Sequence, residues 1–290
     1  MWRCSVNESA PPVNNVELIS FATADELARA VAGAWLDEIA AAQRAGKAHC
    51  VALSGGRITL KFFAAVIEMA GARGVSLADV HFFWADERCV PPADPESNFA
   101  AANEQFFQPL AIAPEKVHRI QGELPPDQAA DLATAEIQRV VLPSPSPRPS
   151  GERVGERGFE LETVGLLSPA LSSLGGGEGV GQQPSLDLIF LGMGEDGHVA
   201  SLFPGEPETA RANPAVFRAI TNSPKPPPNR VTLGYAAIAA AKHVWVLASG
   251  KGKEAALAES LSPTGQPRTL SGLARVLQSR PHSKVFTDIR

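Results

Sequence analysis

The chain has 290 residues, 44% of them apolar, enough to bury a sizeable core in one or two domains. Its net charge is −5 and its isoelectric point about 5.7, with no basic tract, which excludes nucleic acid and anionic membrane as partners. The three cysteines lack CxxC spacing and read as free thiols, residues 1–15 lack the apolar core of a secretion signal, and no apolar run approaches the ~20 residues of a membrane span, so a cytoplasmic location is expected.

Residues 16–20 read as a strand. Thr23-Ala-Asp-Glu26 is a capping-box pattern, and Leu27, Val31, Trp35 and Ile39 follow at helical spacing until Gly46 stops the helix. Residues 49–53 form the next strand, which ends in Ser54-Gly55-Gly56-Arg57. A helix rich in Phe and Ala runs on to about residue 70. A third strand, 80–84, leads into Asp86-Glu87-Arg88 and a proline-rich loop. Residues 98–107 and 127–142 are predicted helical.

Residues 143–184 break the pattern. They open on Pro-Ser-Pro-Ser-Pro-Arg-Pro-Ser and close on glycine-rich sequence. Their composition predicts a flexible, low-complexity insert, and a structureless loop of this length is rare inside a compact domain. The alternation of elements is the same on both sides, so the stretch reads as an insert within one fold. Beyond it, residues 186–191 are a short apolar run that predicts a buried strand. Strands at 216–220, 231–233 and 242–248 follow, with a proline-rich turn at 223–228 and a short Ala-rich helix after 233. Helices are predicted at 253–261 and 270–277, and a last edge strand at 284–286.

Strands and helices alternate, which predicts an α/β fold: a mainly parallel open sheet with helices on both faces, Rossmann-like, as a single domain. That domain spans residues 16–290 and is interrupted by the insert at 143–184. Residues 1–15 are expected to be a flexible N-terminal segment.

The loop after residue 191, Gly192-Met-Gly-Glu-Asp-Gly-His198, carries Asp196 and His198 at a strand's carboxyl end, where open α/β sheets bind ligands. Gly192, Gly194 and Gly197 also match the dinucleotide fingerprint. That reading needs a helix opening in the loop and an acid about 20 residues on; Pro204 interrupts the first and residues 216–223 lack the second. Ser54-Gly55-Gly56, between a strand and a helix, suits an anion held by backbone N–H groups, or is a plain tight turn. It is also one residue from GxSxG, which would make Ser54 an esterase nucleophile needing a separate acid and His.

Arg88 lies at the carboxyl edge, either as a surface ion pair beside Asp86 and Glu87 or as an anion ligand. Lys253 opens a helix, where a cation works against the helix dipole and suggests an anion nearby. Arg230, just before a strand, stays open between roles. Asp86, Glu87, Asp196 and His198 show no tight ligand spacing, so no metal is expected.

Taken together, these segments resemble the family of 6-phosphogluconolactonases and glucosamine-6-phosphate deaminases, on its lactonase side. The resemblance rests on Leu53-Ser-Gly-Gly-Arg57, Trp84-Ala-Asp-Glu-Arg88 with Glu96-Ser-Asn98, Gly192-Met-Gly-Glu-Asp-Gly-His198 with Ser201-Leu-Phe-Pro-Gly205, Arg230-Val-Thr-Leu233 and the step from Gly250 to Lys253. It implies hydrolysis of 6-phospho-D-glucono-1,5-lactone in the oxidative pentose phosphate pathway, without a cofactor. It implies His198 as base, with Ser54, Gly55, Gly56, Arg57, Gly194, Arg230 and Lys253 holding the substrate. For a strained lactone an oriented water and a base suffice; Asp196 would then fix the His tautomer and Arg88 would face the developing oxyanion. The implied partner is the small sugar-phosphate lactone, and a monomer is favoured.

Three departures stand out: Ile58-Thr59 where Thr-Pro is usual, the insert, and a shortened C-terminus. The deaminase branch is the nearest alternative, but it places a carboxylate where Ser201-Leu202-Phe203 stands here. A non-catalytic sugar-phosphate sensor would keep the phosphate grip without needing His198.

Overall fold

Thr23 caps the first helix as its spacing predicts: its hydroxyl accepts from Glu26 N at 3.2 Å, while Glu26 Oε2 accepts from Ala22 N. That helix, α1 (Ala24–Arg44), follows strand β1 (Asn15–Ser20) and buries Leu27, Val31, Trp35 and Ile39 on one stripe. The computed structural model describes residues 15–141, 182–262 and 270–289. The expected N-terminal segment 1–15, apart from Asn15, and the expected insert 143–184, apart from 182–184, lie outside the described residues.

The remaining elements come in chain order. They are β2 (His49–Leu53), α2 (Arg57–Arg73), β3 (Val80–Trp84), β4 (Asp86–Arg88), α3 (Asn98–Ala102), α4 (Pro126–Val141), β5 (Leu188–Gly192), α5 (Glu208–Ala212), β6 (Phe217–Ile220), β7 (Arg230–Leu233), α6 (Tyr235–Ala240), β8 (His243–Ala248), α7 (Glu254–Leu261), α8 (Gly272–Gln278) and β9 (His282–Thr287). Six strands form one parallel sheet in the order β1-β9-β8-β5-β2-β3. Successive residues are buried along β2, β5 and β8, the signature of strands covered on both faces. The packing around Trp35 is aromatic: Phe62, Phe82, Phe106 and Phe190 all lie within 6.4 Å of its ring, centroid to centroid. The expected mainly parallel α/β architecture is the one observed. β5, the first strand after the insert, pairs with β2, so the chain on both sides of residues 143–184 belongs to one sheet.

Two expectations are corrected and one segment gains an element. The last strand is not an edge: β9 pairs with β1 on one side and β8 on the other, because β1 closes over it from the far end of the sequence. Asp86-Glu87-Arg88, to which the sequence pattern assigns no element, is strand β4 of a small antiparallel sheet, β4-β7-β6. Residues 98–107 are not one α-helix; α3 gives way to a π-helical turn at Asn103–Phe107, which buries Phe106 and Phe107.

The crossing between the two sheets occurs at Ala85. Its N–H reaches Leu53 O at 2.7 Å, at the end of β2, while its carbonyl accepts from Leu233 N at 2.8 Å, at the end of β7. The chain therefore leaves the parallel sheet at its carboxyl edge and lays Asp86 and Arg88 over that edge.

Candidate active site

The carboxyl ends of β2, β5 and β8, together with β4 and β7, enclose a cavity of about 520 Å³. Ser54, Gly55, Gly56, Arg57, Arg88, Gly194, His198, Arg230 and Lys253 all line it, so the site residues expected from sequence converge, with Asp196 one hydrogen bond behind His198.

The loop after β2 is built around glycine. Gly56 has φ of 111°, a region that side chains rarely adopt. A Cβ on Gly55 would sit 2.0 Å from Asn98 Oδ1, so only glycine admits that amide. The loop hands over to α2, whose first N–H groups have no intrahelical partner and open toward the cavity through Gly56, Arg57 and Ile58. Ser54 is not arranged as a nucleophile: its hydroxyl donates to Phe190 O at 2.9 Å, and among the described residues no histidine hydrogen-bonds to it. Thr59, which follows the unusual Ile58, turns its hydroxyl back onto Gly55 O at 3.1 Å rather than into the cavity.

The glycine loop after β5 has no helix in it. Residues 193–205 form turns and isolated bridges, Met193 with Val199 and Val199 with Leu202, and the next helix is α5. The dinucleotide fingerprint therefore lacks its phosphate-binding helix, and the glycines serve the histidine instead. Gly194 N donates to His198 O at 2.9 Å, and a Cβ on Gly194 would lie 2.1 Å from the imidazole. Ala200 takes φ of 50°, a strained turn that brings Ser201 back to the core. From the other side, Leu273 N at the start of α8 donates to Gly197 O at 3.0 Å and ties the loop down.

His198 Nδ1 meets Asp196 Oδ1 at 2.5 Å; with the carboxylate ionised, the shared proton sits on Nδ1. Among the described residues Nε2 has no hydrogen-bond partner, and the ring lines the cavity. Burial is the largest influence on this imidazole and pulls its pKa below the ordinary histidine value, against the opposing pull of Asp196. Burial alone would raise the Asp196 carboxyl, but the hydrogen bond and charge of His198, with Lys225 behind them, hold it below the ordinary aspartate value.

The cations Arg57, Arg88, Arg230 and Lys253 line the cavity. Lys253 stands at the N-cap of α7, where burial first and Arg57 second lower its pKa below the ordinary lysine value. Two cations crowded beside a helix N-terminus are relieved by a dianion. Arg88 pairs with neither Asp86 nor Glu87. Its Nη1 donates to Glu96 O at 2.6 Å, and its Nε is buried without a partner, a donor still lacking its acceptor. Glu87 instead accepts from Asn98 N and Phe99 N at 2.8 Å, at the start of α3. Arg230 lines the cavity, but its guanidinium bonds the carbonyls of Lys225, Pro226 and Pro227.

Sequence reasoning missed four contributors. Asn98, Lys251 and Asp86 line the cavity, Asp86 accepting from Ser201 Oγ at 2.7 Å, and Lys225 reaches Asp196 Oδ1 at 3.4 Å. A single charge inside a run of prolines was the available signal for Lys225. Among the described residues no three His, Cys, Asp or Glu side chains come together as a metal site, and no helix is long and apolar enough to cross a membrane.

The sequence profile of glucosamine-6-phosphate isomerases/6-phosphogluconolactonases matches residues 22–283. The 6-phosphogluconolactonase of Streptomyces coelicolor is 30% identical over 250 residues, covering 86% of this chain and 84% of that protein. A chloroplastic 6-phosphogluconolactonase of Arabidopsis thaliana is 32% identical over 219 residues, 75% of this chain and 58% of the longer plant protein. Among solved structures, the 6-phosphogluconolactonase from Trypanosoma cruzi superposes with a TM-score of 0.70 at 22% identity, over 94% of this chain and 95% of that one. A monomeric glucosamine-6-phosphate deaminase superposes with a TM-score of 0.68 at 16% identity, over 93% and 96%. At such identities the likeness is one of fold, and fold does not separate the two activities.

Proposed function

As the chain belongs to the glucosamine-6-phosphate isomerase/6-phosphogluconolactonase family, we propose that it hydrolyses 6-phospho-D-glucono-1,5-lactone to 6-phosphogluconate in the oxidative pentose phosphate pathway, with residues 16–290 acting as one catalytic domain. The observation that carries this reading is the unpartnered Nε2 of His198, whose pKa burial lowers, set in a cavity that Arg57, Arg88, Arg230 and Lys253 also line. The chemistry needs little more. Nε2 takes a proton from water as its oxygen attacks the lactone carbonyl carbon, and the carbonyl becomes an oxyanion that the free Nε of Arg88 is suited to meet. Asp196 fixes the tautomer and stabilises the imidazolium. Collapse breaks the bond to the ring oxygen, which takes the proton back from Nε2. Lys253, Arg57 and the backbone of the Ser54-Gly55-Gly56 loop hold the phosphate.

Deamination fits less well. The segment after His198 carries no carboxylate, and Ser201 in its place donates its proton to Asp86. The test is an assay of the purified protein on 6-phosphogluconolactone, on unphosphorylated gluconolactone and on glucosamine 6-phosphate. Hydrolysis of the phosphorylated lactone well above background is expected, with no ammonia released. Lys253→Ala is expected to lower kcat/KM on the phosphorylated lactone about 10–100-fold, the equivalent of about 1.5–3 kcal/mol for a charge-assisted contact, and to change the unphosphorylated lactone little. Ammonia release, or no rate above background, overturns the reading.

A further inference from the structure

The loop between β6 and β7 is unusual in what it lacks. Residues 223–228 are Ser-Pro-Lys-Pro-Pro-Pro, so four of six positions have no backbone N–H with which to build a turn. Their carbonyls still need donors. Arg230 supplies them: Nε donates to Pro227 O at 3.0 Å, and Nη2 to Pro226 O at 2.9 Å and Lys225 O at 3.2 Å. The same guanidinium lies 5.7 Å over the ring of Phe203, which in turn packs 4.8 Å from the His198 imidazole. Ser223 completes the clamp, donating its hydroxyl to Lys225 O at 2.8 Å. The loop is thus fastened from inside, and the residue it presents is Lys225.

Three donors converge on one atom. Asp196 Oδ1 receives His198 Nδ1 at 2.5 Å, His198 N at 3.3 Å and Lys225 Nζ at 3.4 Å. We propose that Lys225 is a positioning residue for the base: clamped in place by Arg230, its ammonium shares Asp196 Oδ1 with the imidazole and biases His198 to its neutral, proton-accepting form. The physical reason is competition. An aspartate facing only an imidazole stabilises the imidazolium fully, whereas one already facing an ammonium stabilises it less. Arg230, expected from sequence to hold substrate, acts here through the loop. The other charged group facing His198 is Asp86 on β4, which pulls toward the imidazolium; its Oδ2 is occupied by Ser201. The inference rests on His198 being the base, but the coupling itself is measurable without turnover.

The experiment is an NMR titration of the six histidines in the ligand-free protein, beside the pH dependence of kcat/KM on the phosphorylated lactone. In Lys225→Met the His198 midpoint is expected to move to higher pH while the other five hold. The acid limb of kcat/KM should move with it, so that activity falls several-fold at pH 6 and little at pH 8. Lys225→Arg should restore both. Arg230→Met should reproduce the His198 displacement, with no further displacement in the double variant. An unmoved His198 midpoint in Lys225→Met overturns the proposal. So does a pH-independent rise in KM, which would make Lys225 a substrate ligand. A wild-type protein without turnover would instead remove the lactonase reading, and the NMR comparison would still decide the coupling.

Discussion

Two histidines in this protein hold a carboxylate through Nδ1, and only one of them lines the candidate active-site cavity with its outer nitrogen unpartnered. His118 Nδ1 meets Glu136 Oε1 at 2.7 Å, and His198 Nδ1 meets Asp196 Oδ1 at 2.5 Å. Burial lowers the pKa of both imidazoles. They differ at the second nitrogen. His118 Nε2 is taken by His81 Nδ1 at 2.9 Å, and His81 Nε2 by Lys116 Nζ at 3.2 Å. With Glu136 accepting from His118, one assignment satisfies every partner: Lys116 donates to His81, His81 to His118 and His118 to Glu136, both imidazoles neutral. Glu136 is tied in turn to Arg139. Both imidazole lone pairs in that chain are used, so it can hold structure together but leaves neither ring nitrogen free to accept a substrate proton. His198 keeps Nε2 unpaired beside a cavity. A histidine–carboxylate pair therefore says little about catalysis until its outer nitrogen and the space in front of it are known.

The strongest way to break this comparison is to remove each ring in turn. His198→Ala is expected to lose about 10²–10⁴-fold in kcat with the fold intact, the usual worth of a general base. His118→Ala should keep kcat and instead lose about 1–3 kcal/mol of stability, because it leaves the half-buried His81 donor without its acceptor and removes a ring stacked 4.5 Å from Phe83. Near-normal turnover in His198→Ala, or a lost kcat in a folded His118→Ala, reverses the assignment. Both are read by steady-state assay and urea unfolding.

A smaller change tests the space rather than the ring. Gly194→Ala places a methyl where the imidazole now lies, 2.1 Å from Nδ1 by the present backbone. The ring must move, and a misplacement of that order costs on the order of 10²-fold in rate. The measurement is kcat, with circular dichroism to establish that the fold survives.

The smallest expected effect belongs to the structural pair. The Arg139 hydrogen bond is the largest influence on Glu136 and lowers its carboxyl from 4.5 to about 2, with burial opposing and His118 assisting. A depressed carboxyl contributes stability that is present above its unfolded value and is lost as pH falls through its folded value. Glu136 is partly exposed, so solvent screening leaves about 1 kcal/mol at pH 7. The stability difference between the wild type and Glu136→Gln should therefore shrink between pH 4.5 and about 2 in urea titrations, while kcat at neutral pH stays unchanged.

The sequence alone was enough for α1, for β5 and for the loop from Gly192 to His198. Their signals are local: an apolar stripe at helical spacing behind a cap, a short apolar run ending in glycine, and Asp196 two residues from the histidine it pairs with. The same local reading identified the loop at Ser54 and the cations Arg88 and Lys253 at strand and helix ends. What it could not supply was partnership across the chain. Asp86-Glu87-Arg88 has no apolar alternation and is a strand only because β7, more than 140 residues on, offers its edge. The last strand is interior rather than edge only because the first strand closes over it. Lys225 reaches Asp196, and Arg230 holds the carbonyls of the proline-rich loop, for the same reason. Propensity and periodicity act over a few residues and are written in the sequence; which donor meets which acceptor depends on the packing of distant segments, and only the folded chain decides it.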